Sequence, residues 1–76
     1  MSDDAFTLGP VLKELRVRRN LSLAAMAREA GVSKSAIVRI EKGDRNPGLL
    51  TLTGIAGALK IRFLLEADGV YIEDAP

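Results

Sequence analysis

A single glycine, Gly31, joins two short helical patterns between Leu21 and Gly43, and this junction constrains the fold more than any other feature. The first pattern begins at Ser22, whose hydroxyl oxygen can accept a hydrogen bond from a free backbone N–H at a helix start. Gly31 ends this helix, because glycine adopts the left-handed backbone conformation at little steric cost. Ser33 then caps the next helix. The sequence therefore predicts two short helices that meet at a sharp turn.

The second of these helices combines an apolar stripe with a cationic face. Ile37 and Ile40 fall on the apolar stripe. The remaining surface carries Lys34, Ser35, Val38, Arg39 and Lys42. An α-helix fits the major groove of B-DNA, where lysine and arginine reach guanine O6 and N7 and a serine hydroxyl can bond to several bases. This arrangement is typical of a helix-turn-helix whose second helix lies in the groove.

The chain resembles the Cro and phage-repressor (XRE) family of helix-turn-helix proteins, in one collinear pattern from Leu8 to about Leu59. The matching segments are LGPVLKELRVRR, LSLAAMAREAGVS, KSAIVRIEKG and NPGLLTLTGIAGAL. The resemblance implies a mainly α fold, namely a four-helix lambda-repressor-like DNA-binding domain, here followed by a C-terminal β-strand or hairpin. The core predicted from the apolar positions is Leu8, Leu12, Leu15, Leu21, Met26, Ala27, Val32, Ile37, Ile40, Leu49, Leu52, Ile55, Ala56 and Leu59.

The resemblance also implies a structural ion pair between Arg16 and Glu41, tying the first helix to the end of the recognition helix. An arginine suits this role because its planar guanidinium can engage a carboxylate with two hydrogen bonds. The chain departs from the family at Leu23, where a glutamine that touches a phosphate is usual. Gly54 and Gly57 both fall inside the fourth helix, each costing roughly 1 kcal/mol relative to alanine. We therefore expect this helix to be loosely held.

Composition narrows the function classes. The 76 residues have room for one small domain. The sequence has no cysteine and no histidine, which removes thiol chemistry, disulfides and the commonest metal ligand and general base. No apolar run approaches the roughly 20 residues of a membrane span, and the N-terminus is acidic. We expect a cytoplasmic protein that is not an enzyme, has no metal or cofactor, and does not contact a membrane.

The net charge of +1 conceals a segregation along the chain. Residues 10 to 62 hold all eleven basic side chains and four acidic ones, for a net charge of +7, whereas the two ends are acidic. A basic body attracts phosphates, although Lys13 or Arg18 taken singly is interpreted as a solvated helix residue. The predicted organisation is an acidic arm at 1–7, the helix-turn-helix domain at 8–59 and a C-terminal hairpin or tail at 60–76.

Candidate DNA contacts follow from the helix geometry together with the resemblance. Lys34, Ser35 and Arg39 occupy positions that meet base edges in the family, and a phosphate clamp is the alternative role for Arg39. Val38 is expected on the exposed face, either packed on a thymine methyl or simply exposed to solvent. Helix N-termini and the loop after the recognition helix flank the groove, and their backbone N–H groups attract anions. The residues expected near phosphates are Ser22, Ser33, Lys42, Arg45 and Asn46.

The tail after Leu59 is predicted to form a β-hairpin that mediates dimerisation. An alternating apolar run is followed by a turn at 66–69 and a second β-prone run. A two-stranded hairpin is marginal in water by itself, so its apolar residues need a surface to cover. We favour a second copy of the chain over the hairpin's own helices as that surface. The predicted dimerisation residues are Ile61, Phe63, Leu65, Val70, Tyr71 and Ile72.

Together these patterns favour a sequence-specific transcriptional regulator, most simply a dimeric repressor that occludes a promoter, with its own promoter as one candidate. Its partner would be double-stranded DNA with a palindromic operator, because a two-fold dimer places two recognition helices roughly 34 Å apart. The alternative is an antitoxin or antiactivator that grips a protein partner such as a toxin. Leu23, Leu64 and Tyr71 would favour that alternative if they were exposed together.

Overall fold

The computed structural model describes residues 8–44 and 46–75. Its elements in chain order are α1 (Leu8–Arg18), α2 (Leu23–Ala30), α3 (Lys34–Glu41), α4 (Leu49–Leu59), β1 (Ile61–Glu66) and β2 (Gly69–Asp74). The two strands pair antiparallel. The prediction of a mainly α fold with a C-terminal hairpin is therefore confirmed. The predicted acidic arm at 1–7 lies outside the described residues.

Three residues of the sequence pattern define the ends of α2 and the start of α3. Ser22 Oγ accepts a hydrogen bond of 3.0 Å from the backbone N–H of Ala25, and Ser33 Oγ accepts one of 3.1 Å from that of Ala36. Gly31 has φ 73°, the left-handed conformation that lets α2 end abruptly. Both helices are thus capped at their N-termini, and α3 leaves the turn in a defined direction.

The core lies between the four helices and the first residue of the hairpin. Its largest fully buried side chains are Leu12, Met26, Ile37, Ile55 and Leu59. Burial of each side chain of this size stabilises the fold by roughly 1.5–3 kcal/mol before entropy is counted. Ile61 belongs to the same core, with 3% of its surface exposed. The base of the hairpin is therefore part of the helical domain.

The sequence-based prediction for α4 is confirmed at Ile55 and Leu59, which are buried, but it differs at the start of the helix. Leu49 was expected in the core but is 75% exposed, so that prediction is wrong. A Cβ added at Gly54 would overlap the carbonyl oxygen of Ala30, at the C-terminal end of α2. The backbones of α4 and α2 therefore approach as closely as a glycine permits, and this contact fixes the side of α4 that faces inward. Gly54 lowers helix propensity but allows this close packing.

The hairpin leaves the core gradually from its base to its tip. Residues alternate between two faces, so Ile61, Phe63 and Leu65 share one face. Along that face the exposed fraction rises from 3% at Ile61 to 81% at Leu65, with Phe63 half-buried. The helical domain therefore covers the base of the hairpin, whereas the tip is exposed to solvent.

Candidate nucleic-acid interface

The C-terminal end of α3 is fixed to α1 by a buried ion pair. Arg16 Nε donates to Glu41 Oε2 at 2.7 Å, and Arg16 Nη2 donates to Oε1 at 3.2 Å. The third nitrogen, Nη1, donates to the carbonyl oxygen of Leu21 at 2.8 Å. The two charged side chains are 10% and 8% exposed. The ion pair that the resemblance implies is thus present, with two-point geometry and little access to solvent.

The backbone of α1 touches the same end of α3. A Cβ at Gly9 would overlap the carbonyl oxygen of Ile40 and lie 2.9 Å from that of Glu41. Real Cβ contacts essentially never come so close, so Gly9 is the residue that permits this approach. With the Ser33 cap at its other end, α3 is held at both ends. Its outward face therefore has a fixed orientation relative to the rest of the domain.

That outward face carries the predicted base-contacting residues. Lys34, Ser35 and Arg39 are all exposed. Among residues 8–44 and 46–75, no hydrogen bond or ion pair occupies the charged group of Lys34 or Arg39. Val38, expected to be exposed, is half-buried instead. Within the described residues, α3 thus carries two cations without an ion-pair partner on a short helix held at both ends.

The candidate phosphate contacts border this face. Those within the described residues lie at the starts of α2 and α3, at the end of α3 and in the following loop: Ser22, Ser33, Lys42 and Asn46. All four are exposed. The loop is ordered by the Asp44 carboxylate, whose Oδ1 accepts a 3.0 Å hydrogen bond from the backbone N–H of Asn46. Arg45 lies outside the described residues.

A shallow notch of about 190 Å³ adjoins the outward face of α3, between α1 and the start of α2. We call it the α1–α3 notch, and its lining residues are Lys13, Arg16, Leu23, Val38, Glu41 and Lys42. Sequence reasoning misses Lys13, which by itself looks like an ordinary solvated helix residue. Its spacing of three from Arg16 is the signal that could have placed both on one side of α1.

A second depression, the α4–β1 groove, bears on the predicted dimer. It has a volume of about 310 Å³ and is lined by Leu49, Leu52, Thr53, Ala56, Arg62, Phe63 and Leu65. Leu49 and Leu65 are 75% and 81% exposed. Sequence reasoning did not include α4 in a dimer surface, because it assigned Leu49 and Leu52 to the core.

The predicted dimerisation residues of the hairpin differ in accessibility. Ile61 is buried in its own core, which leaves it no surface to offer a second chain. Phe63, Val70 and Ile72 are half-buried. Leu65 and Tyr71 are exposed. The accessible part of the predicted set therefore lies toward the hairpin tip and beside α4.

The three residues that would favour a protein-binding function do not form one surface. Leu23 lines the α1–α3 notch and is half-buried, whereas Leu64 and Tyr71 are cross-strand partners in the hairpin. Across the described ranges, no helix is long and apolar enough to cross a membrane. In the same part of the chain, no group of three or more acidic side chains could hold a metal ion.

Comparisons with known proteins agree with this geometry. The helix-turn-helix family model matches residues 12–65. The chain is 39% identical over 56 residues to an immunity repressor protein of Bacillus phage phi105. It is 38% identical over 63 residues to the HTH-type transcriptional regulator SutR of Escherichia coli K12. These matches cover 74% and 83% of this chain but 39% and 35% of the relatives, so the chain spans well under half of their length.

A solved structure shares the fold. The restriction-modification controller protein C.AhdI from Aeromonas hydrophila is similar with a TM-score of 0.69 and 33% sequence identity. The match covers 76% of this chain and 88% of that protein. The likeness therefore extends over nearly the whole of the controller protein.

Proposed function

Because this chain belongs to the helix-turn-helix family, we propose that it is a sequence-specific DNA-binding transcriptional regulator that places α3 in the major groove. The observation that carries the proposal is the outward face of α3, where Lys34 and Arg39 present charges that no described residue neutralises. An arginine there suits a two-point contact with guanine O6 and N7. The protein acts by binding in this proposal, not by catalysis.

The contacts around α3 have a different role from those on its face. In this proposal four exposed residues meet phosphates on either side of the groove: Ser22, Ser33, Lys42 and Asn46. Phosphate contacts set orientation and affinity but carry no sequence information. Specificity in this proposal rests on Lys34, Ser35 and Arg39, together with the shape of the DNA.

We also propose that the regulator is a two-fold dimer joined through the α4–β1 groove. The support is the exposure of Leu49 from α4 and Leu65 from β1 in the lining of one groove, since large apolar side chains grouped on a surface mark interaction sites. A second copy contributing the same groove gives a self-complementary interface. A dimer of this kind occupies a palindromic operator, and repression by occluding a promoter is its simplest action.

The proposal is tested by comparing the wild type with Arg39→Ala. Each protein is titrated across salt concentrations with the DNA upstream of its own gene and with a random duplex of equal length. We expect the wild type to prefer its upstream DNA, and Arg39→Ala to lose roughly 5- to 150-fold of that preference. The matched control is Arg18→Ala, an exposed arginine paired with Glu14 on α1. That control should keep the wild-type preference.

Two results would contradict this assignment. If wild type and Arg39→Ala both fail to distinguish the duplexes, sequence-specific regulation is wrong and a protein partner, such as the toxin of an antitoxin pair, becomes the better candidate. If Arg18→Ala loses as much preference as Arg39→Ala, the contact to DNA does not run through the face of α3.

A further inference from the structure

We propose that the α1–α3 notch is a thymine subsite, in which Leu23 and Val38 contact the 5-methyl group of the base while Lys13 and Lys42 hold a phosphate of the DNA backbone. The inference rests on the proposed function and deepens it, because it names one base and adds Lys13 and Leu23 to the interface. The notch has a volume of about 190 Å³.

The notch is continuous with the face proposed to enter the major groove. Val38 follows Lys34 by four residues and Lys42 follows Val38 by four, so the three side chains form one row along α3. The first two belong to the helix and Lys42 caps its C-terminus. In this proposal, the base pair next to one that Lys34 or Arg39 contacts lies within reach of the notch.

The apolar part of the notch matches one feature of the major groove. Leu23 and Val38 are both half-buried, so each keeps part of its surface open. Neither side chain can donate or accept a hydrogen bond. Of the four bases, thymine alone presents a methyl group in the major groove, and apolar side chains contact it there. Leu23, which stands where the family usually has a glutamine, thus supplies an apolar contact in this proposal.

The charged part of the notch matches a phosphate. Lys13 and Lys42 are exposed, and neither forms an ion pair with another described residue. The charge of the Glu41 carboxylate is already balanced by Arg16, which donates to both of its oxygens. The lining therefore holds three cations and one anion. A lysine ammonium is a compact point charge that suits a phosphate oxygen.

The test begins with an operator selected from a library of random-sequence duplexes by the wild-type protein. Each thymine in the selected operator is then replaced singly by deoxyuridine, which removes the methyl group and keeps the base-pairing edge. We expect one thymine in each half-site whose replacement weakens wild-type binding about fourfold, the effect of one buried methyl-sized group. The same replacement should weaken the binding of Val38→Ala by clearly less, because the Val38 part of the apolar contact is already lost.

A second arm tests the phosphate contact at an exposed position that folding does not depend on. Lys13→Gln should lower the slope of log affinity against log salt by about one for each protomer bound. Arg18→Gln is the control: it lies five residues further along α1, so its side chain points about 140° away from Lys13. The control should keep the wild-type slope.

The outcomes separate this inference from the proposed function. The thymine subsite is wrong, while sequence-specific binding stands, after any one of three results. These are a deoxyuridine scan in which no replacement weakens binding, an equal loss of affinity in wild type and Val38→Ala, and an unchanged salt slope in Lys13→Gln. Failure of the library to yield an enriched sequence overturns both.

Discussion

An Arg16→Met variant is expected to be strongly destabilised, because it leaves the Glu41 carboxylate inside the domain without its partner. The ion pair is formed by side chains that are 10% and 8% exposed, so water does not screen the charges or replace the lost bonds well. Methionine has a similar length but no donor. The carbonyl oxygen of Leu21 loses its 2.8 Å hydrogen bond as well.

The magnitude follows from the burial. Removing one partner of a buried ion pair costs about 3–5 kcal/mol. A domain of 76 residues is expected to have a free energy of unfolding of roughly 4–11 kcal/mol. The variant should therefore lose roughly a quarter of its stability or more. At about 4–8 °C per kcal/mol for a domain of this size, the melting temperature should fall by at least roughly 12 °C.

The assay is thermal and urea unfolding followed by circular dichroism, with two comparison variants. Arg18→Met breaks the pair between Arg18 Nη2 and Glu14 Oε2, which is equally short at 2.6 Å but lies on side chains 68% and 60% exposed. Exposed pairs are worth about 0–1 kcal/mol, so this variant should stay close to wild type. The double variant Arg16→Met/Glu41→Met removes both charges and should recover much of the lost stability.

Two findings would refute this reasoning. One is an Arg16→Met variant no less stable than Arg18→Met, which would mean that exposure does not decide the strength of these pairs. The other is a double variant as unstable as the sum of its two single variants, which would mean that the two charges do not interact in the folded state.

Three further predictions concern the packing of α4 and the exposed tip of the hairpin. Gly54→Ala should destabilise the domain by about 1–3 kcal/mol despite its better helix propensity, because the new methyl group overlaps the Ala30 carbonyl oxygen. Gly57→Ala lies at an exposed helix position where a Cβ meets nothing within 4 Å, so it should instead stabilise the domain by about 0.5–1 kcal/mol. If thermal unfolding showed the same change in stability for Gly54→Ala and Gly57→Ala, the close approach of α4 to α2 would be contradicted. Leu65→Asp should shift sedimentation from dimer to monomer at a fixed concentration, whereas Val17→Asp, at a 56% exposed position on α1, should not. A Leu65→Asp protein that stays dimeric would exclude the α4–β1 groove as the interface.

Local patterns predicted the parts of the fold that depend on short-range chemistry. The caps at Ser22 and Ser33 and the left-handed Gly31 are decided by residues within one turn of the chain, so they can be identified without knowing the tertiary structure. The partners Arg16 and Glu41 are 25 residues apart, and spacing alone could not join them. The family resemblance was needed for that contact.

The exposure of Leu49 could not be predicted because α4 is apolar on most of its surface. Where every side of a helix offers leucine, isoleucine or alanine, helical periodicity does not choose the inward side. The choice is made by the contact between Gly54 and Ala30, which involves another helix. Ile61 was assigned to a dimer surface for a related reason. Alternation separates the two faces of a strand, but it does not identify what covers each face.

The two-ended support of α3 has a consequence for how this protein can change over evolution. The residues that hold α3 in place point inward or lie at the two ends of the helix. Lys34, Ser35 and Arg39 instead project away from the core. Exchange of exposed side chains usually alters stability by less than about 0.5 kcal/mol. New operator preferences can therefore accumulate on this face one residue at a time, without a compensating change in the interior. Divergence of binding specificity is thus separated from the risk of unfolding.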